Sequence, residues 1–437
     1  MLLTSKINDN IIQIQTDEMA EHAYFLISSN SVKGFNMSGN HVIRKVPKTE
    51  LDQRLKRFRM IMDKREPEWE LALVIGKINQ YYFTGTMQEG LLFIPREGEA
   101  VYYVRRSYER AVDESLFLNI QLMETYRDVA AAMGKLPPSV FLEAELVPLA
   151  MYERMNKYFG FAGFKSLDRC ITNVRSVKSR YELDLIMKSG EIHKMVLEER
   201  MPALFKEGMS EWDLAAALYT ALHEEGYQGV SRFSMFDTEV LMGHVAFGES
   251  SLYPTYFNGP GGNYGLSPAV PFMGSRERKL SDGDLIFIDT GCGFEGYHSD
   301  KTMTYMFGRS LPKHAVECHQ KCVDIQNRIA EMLKPGETPA QIYNSIIGSL
   351  DEVFLQNFMG YGNRRVKFLG HGIGLQVDEL PVLANGFDEP IQEGMAFAVE
   401  PKSGVEGVGM VGIENTFLVT PDGGACITGN HPGLMRI

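Results

Sequence analysis

The stretch LIFIDTGCGFEGYHSDKTMTYMF, residues 285–307, decides the fold of the second half of the chain. An apolar run leads to Asp289, glycines follow, and an alternating run then contains Asp300 and Thr302. This order is typical of a β-hairpin with a glycine-rich reversal. Two buried carboxylates on the arms of one hairpin would repel each other unless a cation lay between them. The stretch therefore predicts a metal site, with a solvated polar turn as the alternative.

A second stretch, IQEGMAFAVEPKSGVEGVGMVGIENTFLVT at residues 391–420, repeats this arrangement. In each copy an apolar run ends in an acid, glycines follow, and an acid-x-Thr sequence lies on the return run. Glu400 and Glu414 are the two acids of the second copy. A repeat of this kind indicates an internal duplication. We expect the four carboxylates of the two copies to meet in one site between the two related halves.

Length and composition limit the possible functions. A chain of 437 residues with 44% hydrophobic and 23% charged residues suits a globular protein of two domains. The net charge of −12 disfavours a nucleic-acid partner, which requires a basic surface. No run approaches the about 18 apolar residues of a membrane span, so we expect no membrane association. Five cysteines, an odd number, favour reduced thiols and a cytoplasmic location.

The domain organisation follows from a change in pattern along the chain. Predicted strands and helices alternate from Glu50 to about Asp168, and longer helical stretches follow a polar connector near Thr172. We therefore predict an α/β (α+β) protein with domains at 1–172 and 173–437. The second domain would contain the internal duplication, with pseudo-twofold related halves.

His371 lies between glycines in GHGIG, between the two acid-bearing stretches. With Asp289, Asp300, Glu400 and Glu414 it would form a site rich in oxygen ligands with one imidazole. Such a ligand set suits Mn, Fe, Co or Zn. Four carboxylates also balance the charge of two divalent ions, and two metal ions are therefore predicted.

These five residues and their contexts resemble the creatinase, prolidase, aminopeptidase P and methionine aminopeptidase superfamily, the M24 metallopeptidases. The matching motifs are DTGCGFEGYHSD, GHGIG, VEP and GIEN, and the region with YYFTG, GLLFIP and GEAVYYV in the first domain resembles the N-terminal domain of the creatinase and prolidase branch. The resemblance implies a pita-bread catalytic domain with five metal ligands and a homodimer. It also implies an Xaa-Pro aminopeptidase or dipeptidase, in which a metal-bridged hydroxide attacks a peptide or amide carbonyl.

The chain departs from this family at residues that handle protons and substrate. Phe272 and Asp378 stand where the family usually has histidines, and Gly412 and Met303 stand where it commonly has arginines. Asp378 can act as an acid or base if its surroundings raise its pKa. His298 and His244 could supply a lost imidazole. We therefore predict Asp378, His298 and His244 as catalytic candidates, with structural roles as the alternative for each.

Three functions compete on these grounds. The first is a metallopeptidase of Xaa-Pro type that acts on a small peptide. The second is a metalloenzyme acting on a non-peptide small molecule, an amidinohydrolase or a lyase, which the missing histidines and arginines favour. The third is a non-catalytic binding module, which the complete set of five ligands disfavours. A fold alone does not choose among them.

Overall fold

The computed structural model describes residues 36–37 and 41–437. The chain divides into two compact units, one that ends at Asp168 and one that begins at Arg169. The predicted boundary after residue 172 falls inside the helix Asp168–Ser176, which starts at the last residue of the first unit. Both units combine helices with sheets, and the predicted α/β class is confirmed. Among the described residues, no helix has both the length and the apolar character required to cross a bilayer.

The first unit is built on a mixed six-stranded sheet in the order β6-β5-β4-β3-β7-β8. Its central strands are continuous apolar runs that are buried on both faces, as in LALV and VYYV. The strands of this unit are β1 (Asn36–Met37), β2 (His41–Val42), β3 (Leu71–Val74), β4 (Gly90–Pro95), β5 (Val101–Val104), β6 (Ile120–Leu122), β7 (Ser139–Leu142) and β8 (Gly163–Ser166). Its helices are α1 (Lys48–Arg65), α2 (Lys77–Thr84), α3 (Tyr108–Glu114), α4 (Tyr126–Met133) and α5 (Leu149–Phe159).

The second unit contains two mainly antiparallel sheet systems, one of which has a parallel edge strand at Met435–Arg436. One has the order β21-β11-β10-β9 and the other the order β15-β14-β16-β19-β20, while β17 and β18 form a separate hairpin. The strands are β9 (Gly243–Phe247), β10 (Leu285–Phe294), β11 (Tyr297–Met306), β12 (Gly360–Tyr361), β13 (Arg364–Arg365), β14 (Gly370–Gly372), β15 (Glu379–Val382), β16 (Ala396–Val399), β17 (Lys402–Val405), β18 (Gly409–Gly412), β19 (Asn415–Thr420), β20 (Gly423–Cys426) and β21 (Met435–Arg436).

The second unit has six α-helices among the described residues, and two of them pack on each sheet system. The helices are α6 (Asp168–Ser176), α7 (Arg180–His193), α8 (Glu211–Glu224), α9 (Lys313–Met332), α10 (Pro339–Ile347) and α11 (Glu352–Leu355), and a π-helical turn (Lys194–Arg200) extends α7. Helices α7 and α8 pack on the first sheet system, and α9 and α10 pack on the second. Leu214, Leu218 and Leu222 of α8 pack with Ile286 and Ile288 of β10 in one core. The other core joins apolar residues of α9 and α10 to β16 and β19.

The helix starts repeat between the two halves, as the internal duplication predicts. Ser210 begins α8 with a capping box in which its hydroxyl accepts the N–H of Asp213. Thr338 begins α10 in the same way with Gln341. Each cap satisfies backbone groups that the first helical turn leaves unpaired. The two sheet systems, each covered by a capped helix pair, place the acid-bearing hairpins next to each other.

Candidate metal centre

The first hairpin places its two acids on one face. In the β10–β11 ladder Asp289 lies opposite Thr302, and Gly291 lies opposite Asp300. Residues directly opposite each other, and residues two apart on one strand, point to the same side of a sheet. Asp289, Asp300 and Thr302 therefore share a face, and both arms are buried along almost their whole length.

The segment from Glu414 to Thr416, at the start of β19, meets the first hairpin through paired hydrogen bonds. Thr302 Oγ1 donates to Glu414 Oε2 at 2.9 Å, and the backbone of these two residues forms an isolated bridge. Thr416 Oγ1 accepts the N–H of Asp300 at 2.8 Å and donates to its carbonyl at 3.0 Å. The threonine of each acid-x-Thr sequence thus fixes the acid of the other copy. The two copies seen in the sequence therefore also hold each other in place through hydrogen bonds.

Three of the five predicted ligands converge closely. Ligand atoms of Asp300, His371 and Glu414 lie within 4.8 Å of one another. His371 Nε2 is 3.6 Å from Glu400 Oε1 and 4.0 Å from Glu414 Oε1. His371 Nδ1 lies 3.0 Å from the carbonyl oxygen of Gly372, to which it donates as the protonated ring nitrogen. Nε2 is then left with its lone pair toward the carboxylates, as a metal ligand requires.

Lys402 lies in the same cluster, and the sequence analysis missed it. Its Nζ donates to Asp289 Oδ2 at 3.0 Å, to Glu400 Oε2 at 3.1 Å and to Glu414 Oε2 at 2.6 Å. The side chain is fully buried. The signal that could have revealed it is its spacing, because a residue two positions after Glu400 in extended chain points to the same side.

The buried charges shift one another's pKa values in opposite directions. Burial raises the pKa of Asp289, but Lys402, His244 and the hydrogen bond from Thr302 together hold this pKa below its ordinary value. Burial and the charge of Asp289 raise the pKa of Asp300 to about 7. Burial and Asp300 raise the pKa of Glu414 well above its ordinary value. The ammonium therefore balances only part of the negative charge, and the side of the cluster at Asp300 still favours a cation.

One carboxylate oxygen of the donor set still lacks a partner in the described part of the chain. Within residues 41–437, Glu414 Oε1 is a buried acceptor with no hydrogen-bond partner. It faces His371 Nε2, and Asp300 offers a further oxygen nearby. An unpaired buried carboxylate oxygen destabilises the folded state unless a cation binds to it. The residues around His371 therefore fit a divalent ion, whereas the oxygens around Lys402 already hold a cation.

Asp378, the first catalytic candidate, accepts hydrogen bonds from backbone N–H groups. Its two carboxylate oxygens accept the N–H groups of Ser234 and Met235, and the Ser234 hydroxyl donates to its carbonyl oxygen at 2.8 Å. Burial raises the pKa of Asp378, while the nearby His371 opposes this rise. Asp378 thus lies within electrostatic range of the His371 imidazole and also anchors the segment 234–235.

The two histidine candidates are buried and hydrogen-bonded. His298 Nε2 accepts the N–H of Arg232 at 3.3 Å, and its Nδ1 lies 3.1 Å from the Gly374 carbonyl. Asn263 Nδ2 lies 2.8 Å from His244 Nδ1 and donates to it, so Nε2 carries the proton of a neutral His244. Burial lowers the pKa of each histidine to about 4. His244 lies opposite Asp289 in the ladder of β9 and β10, whereas His298 is opposite Gly293, at the far end of the hairpin.

An aromatic wall continues from His244. We use this name for His244, Phe257, Phe233, Phe272 and Tyr256. The His244 ring lies 5.4 Å from that of Phe272 and 5.9 Å from that of Phe257, and Phe272 packs edge-to-face on Tyr256 at 4.9 Å. Phe257 packs in turn on Phe233 at 5.3 Å. Phe272 is therefore part of an apolar surface that begins across the strand from Asp289.

The two positions where arginine is usual in the resembled family also have local explanations. Gly412 has φ +124°, and a Cβ there would lie 2.4 Å from the Pro401 carbonyl oxygen. It is the ladder partner of Lys402, so the basic side chain of this hairpin comes from the opposite strand. Met303 is fully buried in the core between β11 and α8, on the other face of its strand from Asp300.

Comparison with known proteins gives consistent matches to both units. The model of metallopeptidase family M24 matches residues 184–421, and that of the creatinase/prolidase N-terminal domain matches residues 54–177. The Xaa-Pro dipeptidase of Pyrococcus furiosus is 26% identical over 387 residues, which cover 88% of this chain and 100% of that protein.

Solved structures of similar proteins share the fold. The prolidase from Pyrococcus horikoshii OT3 matches with a TM-score of 0.71 at 24% identity, over 87% of this chain and 99% of that chain. The Xaa-Pro dipeptidase from Bacillus anthracis matches with a TM-score of 0.72 at 22% identity, over 89% and 100%. At these identities the structural matches support the fold, and substrate and mechanism need separate arguments.

Proposed function

Because the chain belongs to metallopeptidase family M24, as its sequence predicted, we propose that it hydrolyses a small peptide or a related amide. The observation that carries this proposal is the unpaired, buried Glu414 Oε1, which faces His371 Nε2 with Asp300 nearby. A divalent ion held there would polarise a substrate carbonyl and lower the pKa of water. Mn, Co, Fe and Zn all suit oxygen ligands with one imidazole.

The protein's own groups have distinct roles in this proposal. Asp300 and Glu414 supply carboxylate oxygens, and Thr302 and Thr416 hold these two residues in place. Gly372 fixes the tautomer of His371 through its carbonyl. His244, as a neutral imidazole opposite Asp289, would orient a substrate oxygen through Nε2–H. Asp378 would hold the segment at Ser234 and exchange a proton with substrate or water.

The substrate class is proposed from the aromatic wall and from the relatives. Aromatic faces favour an apolar ring or side chain over a charged carboxylate. The first relatives found are Xaa-Pro dipeptidases, and the proline ring of an Xaa-Pro peptide would suit such a surface. We therefore propose a short Xaa-Pro peptide as substrate. The homodimer and the cytoplasmic location stay predictions from the sequence.

A non-peptide substrate is the second candidate, and Phe272 favours it. This residue stands where the resembled family usually has histidine, and it contributes only an apolar ring beside His244. Aromatic faces also attract cationic groups, so a guanidinium or quaternary ammonium compound would suit the same wall. An amidinohydrolase or a lyase would then use the cation site on a different bond.

Metal-dependent turnover on a substrate panel tests both candidates. The panel would contain Xaa-Pro dipeptides, matched Xaa-Ala dipeptides, guanidino compounds and small amides. We expect cleavage of Xaa-Pro dipeptides that EDTA abolishes and Mn²⁺ restores, and we expect Asp300→Asn to lose both turnover and Mn²⁺ binding. Turnover of guanidino compounds alone would favour the second candidate. Peptide cleavage that persists after complete metal removal would contradict the proposal.

A further inference from the structure

The carboxylate cluster contains two cation positions rather than one. Glu400 directs Oε2 to Lys402 and Oε1 toward His371. Glu414 divides its oxygens in the same way, with Oε2 on Lys402 and Oε1 toward His371. Asp289 completes the position around Lys402, and Asp300 belongs to the position around His371. The two glutamates therefore bridge two adjacent places that favour positive charge.

The Lys402 ammonium fills one of these positions completely. An ammonium group has three N–H donors and no acceptor. Asp289, Glu400 and Glu414 provide three carboxylate oxygens between 2.6 and 3.1 Å from Nζ, so each proton has a partner. A divalent ion bound by the same oxygens would lie about 2.0–2.2 Å from each of them. It would have to occupy the space of the ammonium group.

The surrounding structure holds the lysine side chain inward. Lys402 begins β17, pairs with Gly412 of β18 and has no exposed surface. Gly412 lacks a side chain, and its backbone lies so close to Lys402 that a Cβ would be 2.6 Å from the lysine Cα. The centroid of the Phe287 ring lies 6.0 Å from Nζ. Both strands of this hairpin are buried over their whole length, so the lysine side chain starts from a buried backbone.

We infer that Lys402 is a built-in cation that replaces one of two metal ions, and that the site binds a single divalent ion near His371. This inference deepens the proposed function and rests on it, since it concerns how the same site binds metal. It revises the expectation of two ions that follows from counting the four carboxylates alone. With the Lys402 ammonium included, the charge of the four carboxylates no longer calls for two divalent ions.

Metal stoichiometry of the purified full-length protein tests the inference directly. After equilibrium dialysis against excess Mn²⁺, elemental analysis should give about one ion per chain, whereas a two-metal site binds about two. Electron paramagnetic resonance of the same sample should show isolated Mn²⁺ and not a spin-coupled pair. Two ions per chain in the native protein would overturn the inference and leave the proposed function standing. No bound ion would overturn the metal dependence itself.

Variants of Lys402 separate its charge from its bulk. Lys402→Ala removes both and should take up a second Mn²⁺ with a spin-coupled signal, because the three oxygens are released. Lys402→Met removes the charge but keeps most of the volume, and it should stay at about one ion per chain. The control is Lys178→Met, which removes another buried lysine, one that pairs with Glu379 at 3.5 Å. Its Mn²⁺ content should equal that of the native protein.

Thermal stability in EDTA supplies a readout that does not depend on activity. The native protein should keep a high Tm without metal, because Lys402 still balances part of the carboxylate charge. Lys402→Ala should lose Tm in EDTA and regain it on addition of Mn²⁺. If Lys402→Ala does not fold even with Mn²⁺, the stoichiometry and the resonance spectrum of the native protein still decide the question. An unchanged Mn²⁺ content in folded Lys402→Ala would overturn the inference.

Discussion

Asp378 illustrates how a single residue can combine a structural contact with a possible chemical role. Its carboxylate accepts two backbone N–H groups, from Ser234 and Met235, and burial raises its pKa. The two N–H contacts explain why an acid is needed at this position even without catalysis. The raised pKa makes the carboxyl group easier to protonate, as a general acid requires.

Replacing Asp378 tests which of the two roles matters. Asp378→Asn keeps the shape of the side chain but loses one acceptor oxygen and the negative charge. We expect turnover to fall by about tenfold or more with bound Mn²⁺ unchanged, measured by steady-state kinetics and elemental analysis. The control Ser234→Ala removes only the hydroxyl contact to the Asp378 carbonyl and should keep most of the activity. Full activity of Asp378→Asn would exclude a role in turnover.

The residues around the site differ in how far the sequence could predict them. Asp300, His371 and Glu414 were identified from motif spacing, and the structure brings their ligand atoms together. Lys402 was missed because a lysine in a sequence is usually a surface residue, and only its three carboxylate partners show otherwise. Its position two residues after Glu400 was the available signal.

At the level of elements, His319 joins helix α9 to the β17–β18 hairpin and to the segment before β21. Its Nδ1 accepts the N–H of Gly412 at 3.2 Å, and its Nε2 donates to the Pro432 carbonyl at 2.6 Å. Burial lowers the pKa of His319 to about 4. Protonation of Nδ1 would place two N–H groups against each other, so this junction requires a neutral imidazole.

A pH series of stability tests this junction. A histidine whose pKa is lowered by folding contributes stability that is present above its unfolded pKa of about 6.5 and is lost as the pH falls toward about 4. For one group the slope reaches about 1.4 kcal/mol per pH unit. His319→Gln should remove this slope from urea unfolding between about pH 6.5 and about pH 4. The exposed His314→Gln on the same helix should leave it in place.

The measurement must be a difference between variants, because other groups titrate in the same range. The pKa of Asp300 is raised to about 7, so its contribution runs in the opposite direction and is lost as the pH rises. Subtracting the unfolding free energy of the native protein from that of His319→Gln at each pH removes the contribution of Asp300, which both proteins share. Equal slopes in the two proteins would show that His319 is not the group responsible.

Regular elements were more predictable than the connection between them. The hairpin at residues 285–306 followed from local pattern, and the structure has it. The aromatic wall did not follow from any local pattern. Phe233, Phe257 and Phe272 lie outside the helices and strands, between α8 and β10. Their meeting depends on tertiary packing, for which sequence periodicity has no signal.

At the level of the whole molecule, the candidate metal site belongs to one unit. Asp289, Asp300, His371, Glu400 and Glu414 all lie after Arg169, as do Lys402 and the aromatic wall. The first unit has its own six-stranded sheet and its own core. All the candidate cation ligands therefore belong to the second unit.

A fragment that begins at Ser166 should retain metal binding. This start keeps the whole of α6 and the Ser166 hydroxyl that accepts the N–H of Asp168. We expect the folded fragment to bind as much Mn²⁺ per chain as the full-length protein, measured by elemental analysis. The same fragment with Asp300→Asn is the control and should bind less. A fragment with native-like circular dichroism that binds no Mn²⁺ would contradict this expectation.

The reciprocal contacts between the two acid-bearing hairpins have a consequence for how the chain folds. Thr302 reaches Glu414 across 112 positions of sequence, and Thr416 reaches Asp300 across 116. Contacts between such distant positions carry a large loop-closure entropy and form slowly. We therefore expect the carboxylates to come together late in folding, after the more local strand pairs have formed. An ion that needs ligands from both halves should then slow unfolding of the finished structure and have little effect on the early steps of folding.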